Sequence, residues 1–172
     1  MRVAITGTPG TGKTTVARLL EDRLEGLDVE HVNDRIERES LYTAIDEDRD
    51  SLIADLDELR EALSGRTHVL FESHLAHHLP ADRVVVLRCH PETIERRLRE
   101  RGEQAPTAHE NAESEALDVI LTEAVENHGL DSVYEIDTTD RSPSDVANAI
   151  EDVIDGTRSP SAGTVDFISY LE

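Results

Sequence analysis

Eight consecutive residues, Gly7-Thr8-Pro9-Gly10-Thr11-Gly12-Lys13-Thr14, carry the first recognisable chemistry in this chain. They fit glycine, four residues of any kind, then Gly-Lys-Ser/Thr, a loop that cradles phosphate. Gly7, Gly10 and Gly12 let the backbone turn back on itself and present its N–H groups to phosphate oxygens. A helix starting at the loop adds the partial positive charge of its N-terminus. In that setting Lys13 contacts the β- and γ-phosphates, and the Thr14 hydroxyl is a Mg²⁺ ligand. Lys13 is the only lysine of the chain, since sixteen of its 17 Lys+Arg residues are arginine.

Two flanking segments must position this loop. Arg2–Thr6 reads as a short buried strand, and Thr15–Leu24 as an amphipathic helix with Val16, Leu19, Leu20 and Leu24 on one face. Strand, glycine loop and helix are the context that the motif requires.

Further candidates follow later strands. Glu72, in Phe71-Glu72-Ser73-His74, sits at the end of a strand, where a carboxylate orients Mg²⁺ through its water shell. His74 is placed to position an attacking group or to stabilise the loop. His74, His77 and His78 together raise a metal site, but no third ligand type accompanies them in sequence. Arg96, Arg97, Arg99 and Arg101 crowd the end of a helix before a lid-sized segment, and cations with a mobile lid suit phosphoryl transfer. Most of these arginines are expected to pair with Glu95, Glu100 and Glu103, and Arg101, beside Gly102, is the one expected in the site. In the Asn33–Asp50 region, Arg35 and Arg38 are the cations available to an acceptor phosphate.

The remaining pattern is read as follows. Val29–Val32, Thr67–Glu72, Arg83–Arg88 and Val133–Ile136 are strands. Arg35–Ser40 is a short helix capped by Asp34, Ser51–Leu63 a longer one, and Pro91 opens another. Gly102 to about Ala112 reads as a loop, and Glu113–Asn127 as a helix with Leu117, Ile120, Leu121 and Ala124 inward. Ser144–Ile154 is a last helix, and the segment after Gly156 reads as linker. It ends in Val165–Leu171, which holds two of the five aromatic residues and needs the domain or a partner to dock on. Strands alternating with helices imply a parallel sheet covered on both faces, with ligands at the carboxyl ends of its strands.

Composition sets limits. The 172 residues suit one domain, and the single cysteine, Cys89, excludes an internal disulfide and a cysteine-rich zinc site. No apolar run approaches membrane-spanning length, and the chain opens on a strand, so a cytoplasmic location is expected. The net charge of −21 argues against direct binding to nucleic acid and favours a basic partner. Scarce lysine and abundant carboxylate also fit a salt-rich cytoplasm.

With these pieces assembled, the chain resembles the nucleoside monophosphate kinases, and among them the adenylate kinase isoenzyme 6 family. The resemblance rests on Gly7–Thr15, Val32-Asn33-Asp34, Leu41-Tyr42 with Asp46–Asp50, Glu72-Ser73-His74, Arg101-Gly102 and Val133–Thr139. It implies a three-layer α/β/α P-loop NTPase fold with a five-stranded parallel sheet, a monophosphate-binding insertion (about 33–50) and a short lid (about 101–112). The kinase domain would span 1–155, with 156–172 as linker and short C-terminal segment. The implied activity is transfer of the γ-phosphoryl of Mg·ATP to AMP or another nucleoside monophosphate. ATP hydrolysis and a role in small ribosomal subunit maturation, with a basic small-subunit ribosomal protein as partner, come with it. Gly10, Gly12, Lys13, Thr14, Thr15 and Arg101 would bind ATP, Thr14 and Glu72 would hold Mg²⁺, and Lys13, His74 and Arg101 would be catalytic. Two departures stand out: Glu72 replaces an aspartate, and Glu37 falls near the family's acceptor-site arginine. A ribosome-assembly ATPase with incidental kinase activity and a small-metabolite kinase are the rival readings.

Overall fold

The computed structural model describes residues 1–172. Five strands, β1 (Arg2–Thr6), β2 (Asp28–His31), β5 (Val69–Glu72), β6 (Arg83–Arg88) and β7 (Val133–Asp137), form one parallel sheet in the order β2-β5-β1-β6-β7. The expected sheet is thus present, with β1 at its centre. Later strands add on either side of β1, so the crevice at its carboxyl end is the topological switch point where ligands bind in such sheets.

Alternation along the strands builds two cores. Val3, Ile5, Leu70, Val85, Leu87, Tyr134 and Ile136 face α1 (Lys13–Arg23) and α7 (Pro143–Asp155), meeting Val16, Leu20, Val146, Ile150 and Val153. Ala4, Phe71, Val84, Val86 and Val133 point to the other side. There they pack with Val32 and Ile36 of α2 (Val32–Glu39), Leu59 and Leu63 of α3 (Leu56–Leu63), and Leu121 and Ala124 of α6 (Val119–His128). Helices cover both faces, which is why Arg83–Arg88 is almost continuously apolar.

Several sequence expectations are corrected. The short second helix starts at Val32, so Asp34 lies in its first turn instead of capping it. Ser51 does not begin a helix. β3 (Tyr42–Asp46) and β4 (Ser51–Ala54) pair antiparallel, with Ile45 opposite Leu52, and the acidic stretch forms their turn. The leucine spacing 52-56-59-63 imitates a helix, but Asp55 caps α3 by accepting from the N–H groups of Asp57 and Glu58. The supposed loop after Gly102 is largely helical: α4 (Pro91–Glu100) is followed by α5 (Ala105–Ala116). The buried stripe of α5 is Ala108, Ala112 and Ala116, too weakly hydrophobic to stand out as periodicity. Asp118, at φ 56°, separates α5 from α6, and this break turns Leu117 outward to 55% exposure.

The C-terminal segment docks on its own domain. Ser161 accepts from Glu135 N–H (2.7 Å) and donates to Val133 O (2.9 Å), extending the β7 edge. Thr164 donates its N–H and hydroxyl to Glu135 Oε2 at 2.7 and 2.8 Å. Phe167 lies under the Arg88 guanidinium, and Tyr170 donates to Glu95 on α4 (2.9 Å). Burial and then Glu95 push the Tyr170 phenol up to about 12, so it remains a donor.

No helix is long and apolar enough to cross a membrane. Self-repulsion at a net charge of −21 is long-ranged at low salt, since the Debye length falls from about 10 Å at 0.1 M to about 3 Å at 1 M. The melting temperature is therefore expected to rise as KCl goes from about 0.1 to about 2 M. An unchanged melt across that range would sink the charge argument.

Candidate active site

The phosphate loop leaves β1 at Thr6 and enters α1 at Lys13. Gly7 has φ 143°, and a Cβ there would stand 2.5 Å from Leu87 O on β6, so no side chain fits. Gly12 at φ 93° opens α1, and neither a side-chain cap nor a first-turn carboxylate occupies that helix end. The first-turn N–H groups of a helix have no intrahelical partners, so those of Lys13, Thr14 and Thr15 are available to an anion.

Lys13 curls over the loop, donating to Gly7 O (2.8 Å) and Thr8 O (3.0 Å). Burial pushes its ammonium down to about 8, against the opposing pull of Glu72 and Glu115. Thr14 donates to Glu72 Oε1 (3.2 Å), and Glu72 Oε2 meets His31 Nδ1 at 2.8 Å. Burial opposes charge on His31, but its bonds to Glu72 and Glu21 outweigh that and raise its pKa. Burial, with a contribution from Lys13, pushes His74 down to about 4, so it stands as a neutral ring.

Gly10, Gly12, Lys13, Thr14, Thr15, Glu72, His74 and Arg101 all line one cleft of about 250 Å³, together with Pro9 and Asn33. The eight residues expected to bind ATP, hold Mg²⁺ or act catalytically thus share one cleft. Arg101 also borders two neighbouring clefts. Arg96 and Arg99 do not join it, lying instead with Glu92, Glu95 and Glu100 along the solvated side of α4.

A second cleft, of about 170 Å³, adjoins the loop between Thr11, Gly12, Thr15, Arg97, Arg101, Thr138 and Arg141. Arg97 donates to Gly10 O (3.0 Å), and the Thr138 hydroxyl faces Thr11 O (3.2 Å) and Arg88 O (2.9 Å). Sequence reading missed these partners. For Arg97 the signal was its place in the arginine cluster. For Thr138 and Arg141 it was their position just after the fifth strand of the sheet.

The third cleft, of about 270 Å³, lies on the other side, lined by Asn33, Ile36, Glu37, Asp50, Ser51, Leu52, His74 and Leu75. Asn33 and His74 belong to this cleft and to the central one. Neither expected acceptor-site cation lines it. Arg35 is bound by Glu30 (2.7 Å) and Glu39 (2.8 Å), and Arg38 is 63% exposed.

A buried network ties the loop to α5. Thr8 donates to Glu115 Oε2 (2.5 Å), and Glu115 Oε1 accepts from Arg88 Nε (2.8 Å) and Cys89 N–H (3.0 Å). Arg88 also donates to Asp118 and Glu135.

Known proteins resemble this chain over most of its length. Residues 3–118 match the family described as "AAA domain". A protein of Natronomonas pharaonis named "Putative adenylate kinase" is 61% identical over 171 residues, 99% of this chain and 100% of its own length. The chain belongs to the adenylate kinase isoenzyme 6 family. Proteins of the same name from Halobacterium salinarum and Methanocaldococcus jannaschii are 58% and 39% identical. The first covers 99% of this chain and 100% of the relative, the second 97% and 93%. Among solved structures, shikimate kinase from Acinetobacter baumannii superposes with TM-score 0.65 at 20% identity over 91% of this chain and 94% of its own. Deoxyadenosine kinase from M. mycoides does so with TM-score 0.59 at 17% identity, over 92% and 100%. These likenesses establish the P-loop kinase fold of this adenylate kinase isoenzyme 6 family member.

Proposed function

We propose that this protein is a nucleoside monophosphate kinase that transfers the γ-phosphoryl of Mg·ATP to AMP. The observation that carries this reading is the row of three clefts. A central one holds Lys13, Thr14, Glu72, His74 and Arg101, and one flanking cleft on either side shares residues with it. The cleft with Arg97, Thr138 and Arg141 takes the donor nucleoside. The cleft between α2 and the β3–β4 hairpin takes the acceptor.

The roles follow from chemistry. The loop N–H groups and Lys13 hold the phosphates, and Lys13 and Arg101 neutralise charge spreading over the transferring group. Burial of Lys13 strengthens that interaction, because a charge acts further where water is scarce. The Thr14 hydroxyl and Glu72 carboxylate are oxygen donors of the kind Mg²⁺ takes, and would hold it directly or through its water shell. When bound, the metal supplies further neutralisation of the phosphate oxygens. The acceptor phosphate is already ionised, so no general base is needed, and neutral His74 serves to position it beside Asn33. Helix α5, following Arg101 and Gly102, is the lid that excludes water. Residues 1–155 form the kinase unit, and 156–172 brace α4 from outside.

An acceptor screen in molar KCl tests the reading. AMP or another monophosphate should accelerate ATP turnover, and Arg101→Ala should lower kcat/KM about 100-fold, the lower end of the range for loss of one charge-stabilising donor. Acceleration only by a small metabolite would favour a metabolite kinase, which the Glu37 and Asp50 carboxylates of the acceptor cleft keep in view. The charge of −21 favours a second role, an ATPase cycle gating capture of a basic small-subunit ribosomal protein. Hydrolysis without AMP, together with pull-down of such a protein, is its test.

A further inference from the structure

Outside these clefts, three ligating side chains converge on the far side of β1. His77 and His78 stand on the short turn Ala76–His78, and Glu123 reaches them from α6. One ligand atom from each lies within 4.8 Å of the others. The third ligand type that is missing beside the histidines in sequence comes from 46 residues further along the chain.

The hydrogen bonds of His77 single out this place. Thr6 Oγ1 lies 2.8 Å from His77 Nδ1 and orients the ring. On its other side the ring brings Nε2 to within 2.8 Å of Glu123 Oε2. His77 is only 1% exposed, so its ring is held in place by the packing around it. A cation between Nε2 and the carboxylate would leave Nδ1 to donate to Thr6, the kind of outer bond that metal-bound histidines make. His78 Nε2 lies 3.8 Å from the same Glu123 oxygen. The Asn127 amide is 3.5 Å from His78 Nδ1, too long a contact to fix that ring's tautomer.

We propose that His77, His78 and Glu123 bind a divalent transition metal of the zinc class, with water as fourth ligand. Two imidazoles and one carboxylate suit Zn²⁺, whereas Mg²⁺ seeks an octahedron of oxygens. Bonds of about 2.0–2.1 Å separate tetrahedral ligand atoms by about 3.3 Å. The contacts of 2.8 and 3.8 Å bracket that spacing, and His78 and Glu123, 22% and 43% exposed, have room to adjust. The ion would pin α6 to the turn after β5 and, through Thr6, steady the strand end from which the phosphate loop departs. This site is independent of the kinase reading.

Calorimetric titration of zinc chloride into the full chain, in molar KCl with excess Mg²⁺ to occupy oxygen sites, tests it. One tight zinc per chain is expected, with a raised melting temperature. Affinity should fall at least about tenfold in His78→Ala and in Glu123→Gln, and stay unchanged in His31→Ala, which alters the other histidine–carboxylate cluster. Metal-free melts confirm that each variant folds. Cobalt(II) bound to the unmodified protein provides a second readout, with the intense visible bands of tetrahedral coordination expected. Equal zinc affinity in folded His78→Ala, Glu123→Gln and the parent, absence of saturable zinc, or a purely octahedral cobalt spectrum would overturn the proposal.

Discussion

Replacing Lys13 by alanine is expected to lower kcat/KM for phosphoryl transfer by about 10²- to 10³-fold, or about 2.7–4 kcal/mol of transition-state stabilisation. Lys13 is the one lysine of the chain, and its Nζ rests on Gly7 O and Thr8 O inside the cleft. No other cation is held inside the loop, since Arg97 is bound to Gly10 O and Arg101 approaches from the end of α4. Lys13→Arg should recover little of the loss. A planar guanidinium presents a fork where a compact charge must fit between phosphates, and the loop has little space for it. Stability should hardly change, because Thr8 O keeps its bonds from the Thr11 N–H and hydroxyl, and a desolvated charge is removed. Initial-rate kinetics beside a melt of the same variant separate the two effects. Retained activity in a folded Lys13→Ala protein would refute the assignment.

The second large effect is structural. Arg88→Ala should destabilise the fold by about 3–5 kcal/mol, the range for removing one partner of a buried ion pair. The Arg88 side chain is 1% exposed and holds Glu115, Asp118 and Glu135, so its loss strands two nearly inaccessible carboxylates and one partly exposed one. Each carboxylate also anchors something else. Glu115 receives Thr8 from the phosphate loop, Glu135 receives Thr164 from the C-terminal segment, and Asp118 sits at the break between α5 and α6. Activity should therefore fall along with stability. Arg88→Lys should not restore the fold, because an ammonium cannot span three carboxylates with the geometry of a guanidinium. Urea denaturation in molar KCl measures the difference. A shift below about 0.5 kcal/mol, the level of an ordinary surface substitution, would contradict it.

These two arginine and lysine positions illustrate what was readable beforehand. Lys13 announced itself because a local motif, one strand and one helix encode its whole environment. Arg88 did not, since it reads as the polar end of an apolar strand, and its partners lie 27 to 47 residues away. The same limit hid Arg97, Thr138 and Arg141 as neighbours of the loop, and Glu123 as the companion of His77. The central sheet was legible because strands covered on both faces leave runs such as Val84-Val85-Val86-Leu87. The β3–β4 hairpin was not, because four leucines at helical spacing outweighed the Asp55 cap. Helix α5 was missed because alanine at three successive inward positions carries almost no hydrophobic signal.

The central claim is that the three clefts hold a phosphoryl donor, the transfer site and a monophosphate acceptor. Following ³¹P signals of ATP and AMP incubated with the protein, Mg²⁺ and molar KCl tests it most directly. The account predicts that AMP and ATP disappear together, that two ADP form for each pair and that little inorganic phosphate accumulates. ATP converted to ADP and inorganic phosphate at a rate indifferent to AMP would contradict it.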